Sequence, residues 1–176
     1  VREKENEKTT LAIANNEMQL SLLKSQINPH FLFNTLNSIS TLMNTNKDKA
    51  RQMMTMLGNV MRYAIDSNSI LEVPLTDELT FIRNYIHIQQ VRFGERLKYK
   101  EDIERRCLTL TIPPMVLQPL VENSVKHGIT PKEEGGTITL SIHQINGQVE
   151  FKVADDGIGL ANKTKFESSN SGVGLV

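Results

Sequence analysis

The chain has 176 residues, 20 Lys+Arg against 20 Asp+Glu, and one cysteine, Cys107. Zero formal net charge argues against a general nucleic-acid or anionic-membrane binder, which would need a basic surplus. The lone cysteine excludes an intramolecular disulfide framework and suits a reducing compartment, and no apolar run approaches the ~18–20 residues that span a bilayer. The length accommodates one large domain or two small ones.

Residues 1–70 carry a single glycine, Gly58, and a single proline, Pro29, and their apolar residues recur at helical spacing. Leu11, Met18, Leu22, Leu32, Leu36, Ile39 and Met43 form one stripe, interrupted by Asn15, Ser25 and Pro29. After a polar loop over Asn44–Asp48, a second stripe follows through Ala50, Met53, Leu57, Val60 and Ala64. A hairpin of two such helices cannot close a core alone, so the pattern predicts a dimeric four-helix bundle. Asp66 to Ser69 reads as a linker, and the span Asp66–Ile70 as a hinge.

Beyond it the elements alternate. Glu72-Val73-Pro74 reads as a short strand, and Thr76 as the N-cap of a helix with Asp77 and Glu78 in its first turn. That helix carries Leu79, Ile82, Ile86 and Val91 and stops at Gly94. Strands are expected over Leu97–Ile103 and Cys107–Ile112, then a helix opened by Pro113-Pro114 and running to Gly128. Thr137–Ile145 alternates Ile138, Leu140 and Ile142 on one face. Asn146-Gly147 makes a two-residue turn into a partner strand with Val149, Phe151 and Val153. The predicted architecture is a helical hairpin over residues 1–70 and an α+β sandwich over residues 71–176.

Chemistry concentrates at three places. His30 lies roughly 120° from the apolar stripe at ~100° per residue, on the outer flank of the hairpin, with Gln26 and Asn34 one turn either side. Geometry allows a phosphoacceptor there, but the residues alone favour a solvated first-turn residue of a helix begun by Asn28-Pro29. Glu122 and Asn123 sit in an otherwise apolar helix with Lys126 and His127 one turn on. A carboxylate and a carboxamide can hold a hydrated Mg²⁺ while the cations meet phosphate, or the four can be the wet side of an amphipathic helix. Asp155-Asp156-Gly157-Ile158-Gly159 follows a strand, where glycines permit close backbone approach and Asp155 can accept from an exocyclic amine. Gly172-Val173-Gly174-Leu175 could cradle phosphate at a helix start or be a loop.

The run Gln26-Ile27-Asn28-Pro29-His30-Phe31-Leu32-Phe33-Asn34-Thr35-Leu36-Asn37 resembles the histidine box of the LytS/YesM-type sensor histidine kinases. Leu75-Thr76-Asp77-Glu78-Leu79, Tyr85 and Arg92-Phe93 extend the likeness. The three later clusters are similar in order and spacing to the N, G1 and G2 boxes of Bergerat-fold ATPases, Pro119–Gly128 especially so. The resemblance implies a histidine-bearing dimerisation hairpin followed by a Bergerat-type ATP-binding domain. It makes the chain a protein-histidine kinase, with His30 the phosphorylated residue and an aspartate of a response-regulator receiver domain the next acceptor. It assigns Mg²⁺ to Asn123 with Glu122 beside it, adenine recognition to Asp155, turn roles to Gly157 and Gly159, and phosphate contacts to Gly172, Gly174, Lys126 and His127. Leu160 to Ser171 would be the nucleotide lid. Phe31 stands where the commoner sensor-kinase box has an acidic residue, so activation of His30 is expected from elsewhere, Glu122 being one candidate. Pro119 occupies the position of the superfamily's hydrolytic base, which argues against a plain ATPase. A nucleotide-binding signalling scaffold without transfer is the alternative. The resemblance further implies a homodimer, no nucleic-acid partner, and a cytoplasmic position in a bacterial membrane receptor whose anchor and remaining ATPase strands lie outside this segment.

Overall fold

The computed structural model describes residues 28–159. The stripe positions Leu11, Met18 and Leu22, together with Gln26, the expected lid Leu160–Ser171, Gly172 and Gly174, lie outside the described residues.

Helix α1 spans Pro29–Thr45 and α2 spans Lys47–Asp66, with Asn46 alone between them instead of the expected five-residue loop. Asn46 serves both helices. Its backbone N–H donates to Leu42 O at 2.7 Å, and its side chain accepts from Lys49 N at 3.0 Å. The α2 stripe is buried as expected, through Ala50, Met53, Leu57, Val60 and Ala64. In α1 the inward face is shifted from the predicted one: Ile39 is buried as expected and Leu32 partly so, but Phe31 and Thr35 are buried too, whereas Leu36 and Met43 remain 48% and 47% exposed. Phe31 turns inward because its ring stacks on Tyr85 with centroids 4.8 Å apart. Thr35 is tolerated on that face because its hydroxyl donates to Phe31 O at 2.7 Å.

A 3₁₀ turn over Ser67–Ser69 leads to β1 (Val73–Pro74) and α3 (Leu75–Phe93). Thr76 is not the cap: the helix starts at Leu75, whose N–H bonds Leu110 O at 2.8 Å across the chain. Gly94 closes the helix at φ 59°, a value that favours glycine. Leu79, Ile82 and Ile86 are buried, and so are Leu75, Phe81, Tyr85 and Ile88, so α3 is covered on several sides. One apolar core therefore runs from Phe31 and Met53 in the hairpin through α3 to Ile138, Leu140 and Ile142 in the sheet.

Strand β2 (Leu97–Ile103) pairs in parallel with β4 (Gly136–Ile145), which pairs antiparallel with β5 (Gln148–Asp155). The turn between β4 and β5 has Asn146 at φ 51° and Gly147 at φ 81°, as a two-residue primed turn requires. The strand expected over Cys107–Ile112 is mostly a 3₁₀ turn, Arg105–Thr109, closed by Cys107 N to Glu104 O at 2.9 Å. Only Thr111–Ile112 (β3) is extended, and it pairs antiparallel with β1. The expected helix from Pro113 begins late, as α4 (Gln118–Asn123) with Pro119 in its first turn, and continues as a π-helical turn over Ser124–Ile129. Among the described residues no helix is long and apolar enough to cross a membrane.

Candidate functional site

The late start of α4 has a physical cause in Glu78, which is fully buried. Its Oε2 accepts from the Tyr63 hydroxyl at 2.5 Å and from Met115 N at 2.9 Å, and its Oε1 accepts from Leu117 N at 3.0 Å. A carboxylate survives such burial only when its lone pairs are met by donors, as three are here. The chain passes through Met115 at φ 62°, a costly conformation for a side-chain-bearing residue, and presents these amides to the acid. Burial, and then the neighbouring Glu78, push the Tyr63 phenol above its ordinary range. Residues of α2, α3 and the segment ahead of α4 are thus tied at one point.

Glu78 begins a line. Tyr85, Gln89 and Arg92 follow it at spacings of seven, four and three, so all four share one face of α3. Gln89 Nε2 donates to the Tyr85 hydroxyl at 3.0 Å, and both residues are buried. Tyr85, Gln89 and Arg92 line a cavity of about 670 Å³ together with His30, Glu122, Asn123, Lys126 and His127. The histidine box and the N-box residues, 92 positions apart between His30 and Glu122, therefore meet in one place.

Each side chain has a local reason for its position. Asn28 caps α1 by accepting from His30 N at 3.0 Å, with Pro29 supplying the preset first-turn φ. His30 is exposed to the cavity, and Asn34 Nδ2 lies 3.1 Å from either ring nitrogen, so the i+4 amide holds the ring. Phe31, anchored on Tyr85, holds α1 against α3 beside it. Glu122 is half-buried and accepts from Gln118 Nε2 at 3.0 Å. Burial pushes its carboxyl up, opposed by that hydrogen bond and by Lys126. Burial and the Glu122 charge likewise raise the Tyr85 phenol, which stays protonated and polar beside the histidine.

The π turn that carries Lys126 and His127 ends on a second feature. On β5 the residues Val149, Phe151 and Val153 alternate towards the core, and the same parity brings Asp155 to that face opposite Ile138. There it meets Gly128: a Cβ built on Gly128 would stand 2.3 Å from Asp155 Oδ1. One built on Gly157 would stand 2.3 Å from the Gly128 Cα, so the two glycines allow a backbone contact no side chain could fit. Gly157 N donates to Asp155 Oδ1 at 3.1 Å, and Asp156 is occupied structurally, accepting from Thr137 N at 2.6 Å. Gly159 has φ 68° and open space around it. The segment Ser124–Ile129 thus has the His30 cavity on one side and the Asp155 cradle at its end.

Among the described residues no group of three or more His, Cys, Asp or Glu side chains could cage a metal. The oxygen donors of Asn123 and Glu122 suit Mg²⁺, which keeps several waters and takes the rest of its shell from phosphates. Sequence reasoning treated Glu78 as a dipole complement and left Tyr85, Gln89 and Arg92 without roles. Their 7-4-3 spacing was the available signal.

Comparison with known proteins gives matches along most of the chain. Residues 18–97 match the family model described as histidine kinase, and residues 113–176 match that of the histidine kinase-, DNA gyrase B- and HSP90-like ATPases. Sensor histidine kinase YpdA of Escherichia coli (strain K12) is 40% identical over 148 residues, 84% of this chain and 26% of that protein. Sensor protein LytS of Bacillus subtilis (strain 168) is 35% identical over 160 residues, 86% of this chain and 27% of its own length. Sensor histidine kinase YesM of the same organism is 35% identical over 160 residues, covering 90% and 28%. The chain spans about a quarter of the length of these relatives.

Proposed function

The chain belongs to the sensor histidine kinases of the LytS/YesM type, and from that premise we propose that it transfers the γ-phosphoryl of ATP to His30 and then to a response-regulator aspartate. The observation that carries this reading is the shared cavity, in which the histidine and the N-box residues face one another.

In the proposed step a His30 ring nitrogen donates its lone pair to the γ-phosphorus. The bond to the β,γ-bridging oxygen breaks with its electron pair leaving on ADP. The imidazolium proton departs from the other ring nitrogen, and Glu122 is the nearby carboxylate able to take it, since burial holds its proton affinity up. Asn34 keeps the ring oriented, which suits a reaction that depends on positioning more than on covalent chemistry. Asp155 would recognise the adenine amine, with Gly157 and Gly159 shaping its loop. Lys126 and His127 would meet phosphate, along with Gly172 and Gly174. Asn123, with Glu122 beside it, would hold Mg²⁺, whose charge would offset that of the phosphates.

The reading includes a homodimer. Met54, Gly58 and Ile65 are exposed on one face of α2 at helical spacing, with half-buried Met61 between them, and Phe33, Leu36 and Met43 are exposed on α1. An apolar stripe of this kind, with a glycine allowing close approach, supports pairing with a second hairpin into a four-helix bundle. Residues 1–70 and 71–176 would be its two domains, in the cytoplasmic part of a receptor anchored through regions outside this segment.

Incubation of the full-length protein with γ-³²P-ATP tests the reading. The expected product is an acid-labile, base-stable label lost in His30→Gln, a substitution of an exposed side chain expected to change stability by no more than about 0.5 kcal/mol. ATP binding without any label in wild type would replace the kinase by a nucleotide-binding scaffold.

A further inference from the structure

Arg92 is the cation of this cavity that belongs to neither the histidine box nor the three nucleotide boxes. It ends the face of α3 on which Glu78, Tyr85 and Gln89 are held by buried hydrogen bonds, so its backbone has a fixed register against α4. Its guanidinium lies over the Phe93 ring, 4.8 Å from the centroid, which aligns it without consuming its donors. Among the described residues it has no carboxylate partner, although Arg51, Arg83 and Arg106 each do. A planar guanidinium with free paired donors, facing a histidine across a cavity open to phosphate, has the geometry for bidentate binding of phosphoryl oxygens.

We infer that Arg92 is a catalytic residue that binds the equatorial oxygens of the phosphoryl group as it passes from the β,γ-bridging oxygen of ATP to His30, and that it holds the resulting phosphohistidine. The inference rests on the kinase reading above. Arg92 neither gives nor takes a proton. The P–O bond breaks towards ADP and the P–N bond forms at His30, while the guanidinium keeps its charge and shifts its hydrogen bonds with the moving group. The charge of the moving group is met from the helix that also carries Tyr85, on whose ring Phe31, next to the histidine in sequence, stacks.

The test compares wild type, Arg92→Gln and Arg92→Lys in the full-length protein. It measures the initial rate of His30 labelling at saturating γ-³²P-ATP, affinity for a fluorescent ATP analogue, and the thermal unfolding midpoint. Arg92→Gln is expected to slow labelling about 100-fold at saturating ATP, the scale of losing one preorganised charge donor. Affinity should stay within about threefold, because the bound nucleotide meets Arg92 fully only during transfer. Arg92→Lys keeps the charge and loses the fork, and is expected to be slowed about 10-fold. Arg92→Gln labelling within about threefold of wild type overturns the assignment, and so does a loss of affinity equal to the loss of rate. Should Arg92→Gln fail to fold, Arg92→Lys decides alone, and a wild-type rate there overturns the inference. Wild type that binds ATP but takes no label removes the kinase reading itself, an outcome distinct from any of these.

Discussion

Replacing Glu78 by alanine should be a severe single change outside the cavity. The carboxylate is fully buried and satisfies three donors, at 2.5, 2.9 and 3.0 Å. Hydrogen bonds to a charged acceptor contribute about 1.5–3 kcal/mol each, while holding the ion itself in the core costs several kcal/mol. The substitution removes both and leaves the Tyr63 hydroxyl and the Met115 and Leu117 amides without acceptors, so the net loss should be about 3–5 kcal/mol. Glu78→Gln keeps the shape and one good acceptor but sets an NH₂ against a donor, for about 1–3 kcal/mol. Tyr63→Phe should cost about 1.5–3 kcal/mol, and combining it with Glu78→Gln should be less than additive, since both break the same contact. Urea denaturation followed by circular dichroism measures all four proteins, and nucleotide titration of the folded variants reads the consequence for the site. Affinity should drop with Glu78→Gln because the segment it anchors leads into α4. A Glu78→Ala protein within about 1 kcal/mol of wild type would refute the claim that this carboxylate joins hairpin and site.

Two further outcomes follow from the same geometry. Gly157→Ala places a methyl 2.3 Å from the Gly128 Cα and 2.4 Å from its carbonyl. Backbone cannot yield as a flexible side chain can, so a loss of about 1–3 kcal/mol is expected, with ATP affinity falling too because Asp155 sits on the displaced loop. Unchanged stability and affinity would mean the two glycines are not in contact. For Glu122, burial raises the folded-state pKa above that of the unfolded chain. The folded state then binds the proton more tightly, so this contribution is present at acid pH and is lost as pH rises through the raised value. Glu122→Gln removes it, and its stability relative to wild type should therefore improve between pH 4 and pH 7.5 in urea titrations. A relative stability that worsens over that interval would contradict the assigned burial.

The two halves of the protein were legible to different degrees. On α2, where Ala50, Met53, Leu57, Val60 and Ala64 all pack inward, periodicity alone located the buried face, because a single helix side meets the core. On α1 the same reasoning chose Ile39, which is buried, and Leu32, which is partly so, but also Leu36 and Met43, which are exposed. The helix carries apolar residues on two sides, and only the Tyr85 ring decides that Phe31 is the one to bury. The turn at Asn146-Gly147 and the end of α3 at Gly94 were readable because positive φ has few tolerant residues. Strand and helix extents around Cys107 and Pro113 were not, because distant groups set them: Leu110 O caps α3, and Glu78 holds the amides ahead of α4.

The residue types of the site, and their order along the chain, were present in the sequence by itself, because short motifs carry their own hydrogen-bonding chemistry. That order could not say that His30 and Glu122 would face one cavity, since nothing local relates positions 92 residues apart. Tertiary packing decided it through α3, whose apolar sides bury against both the hairpin and the sheet while another face runs Glu78, Tyr85, Gln89, Arg92. A helix that must satisfy two neighbours at once has one orientation that buries both apolar sides, and that orientation sets the histidine opposite the residues around Glu122.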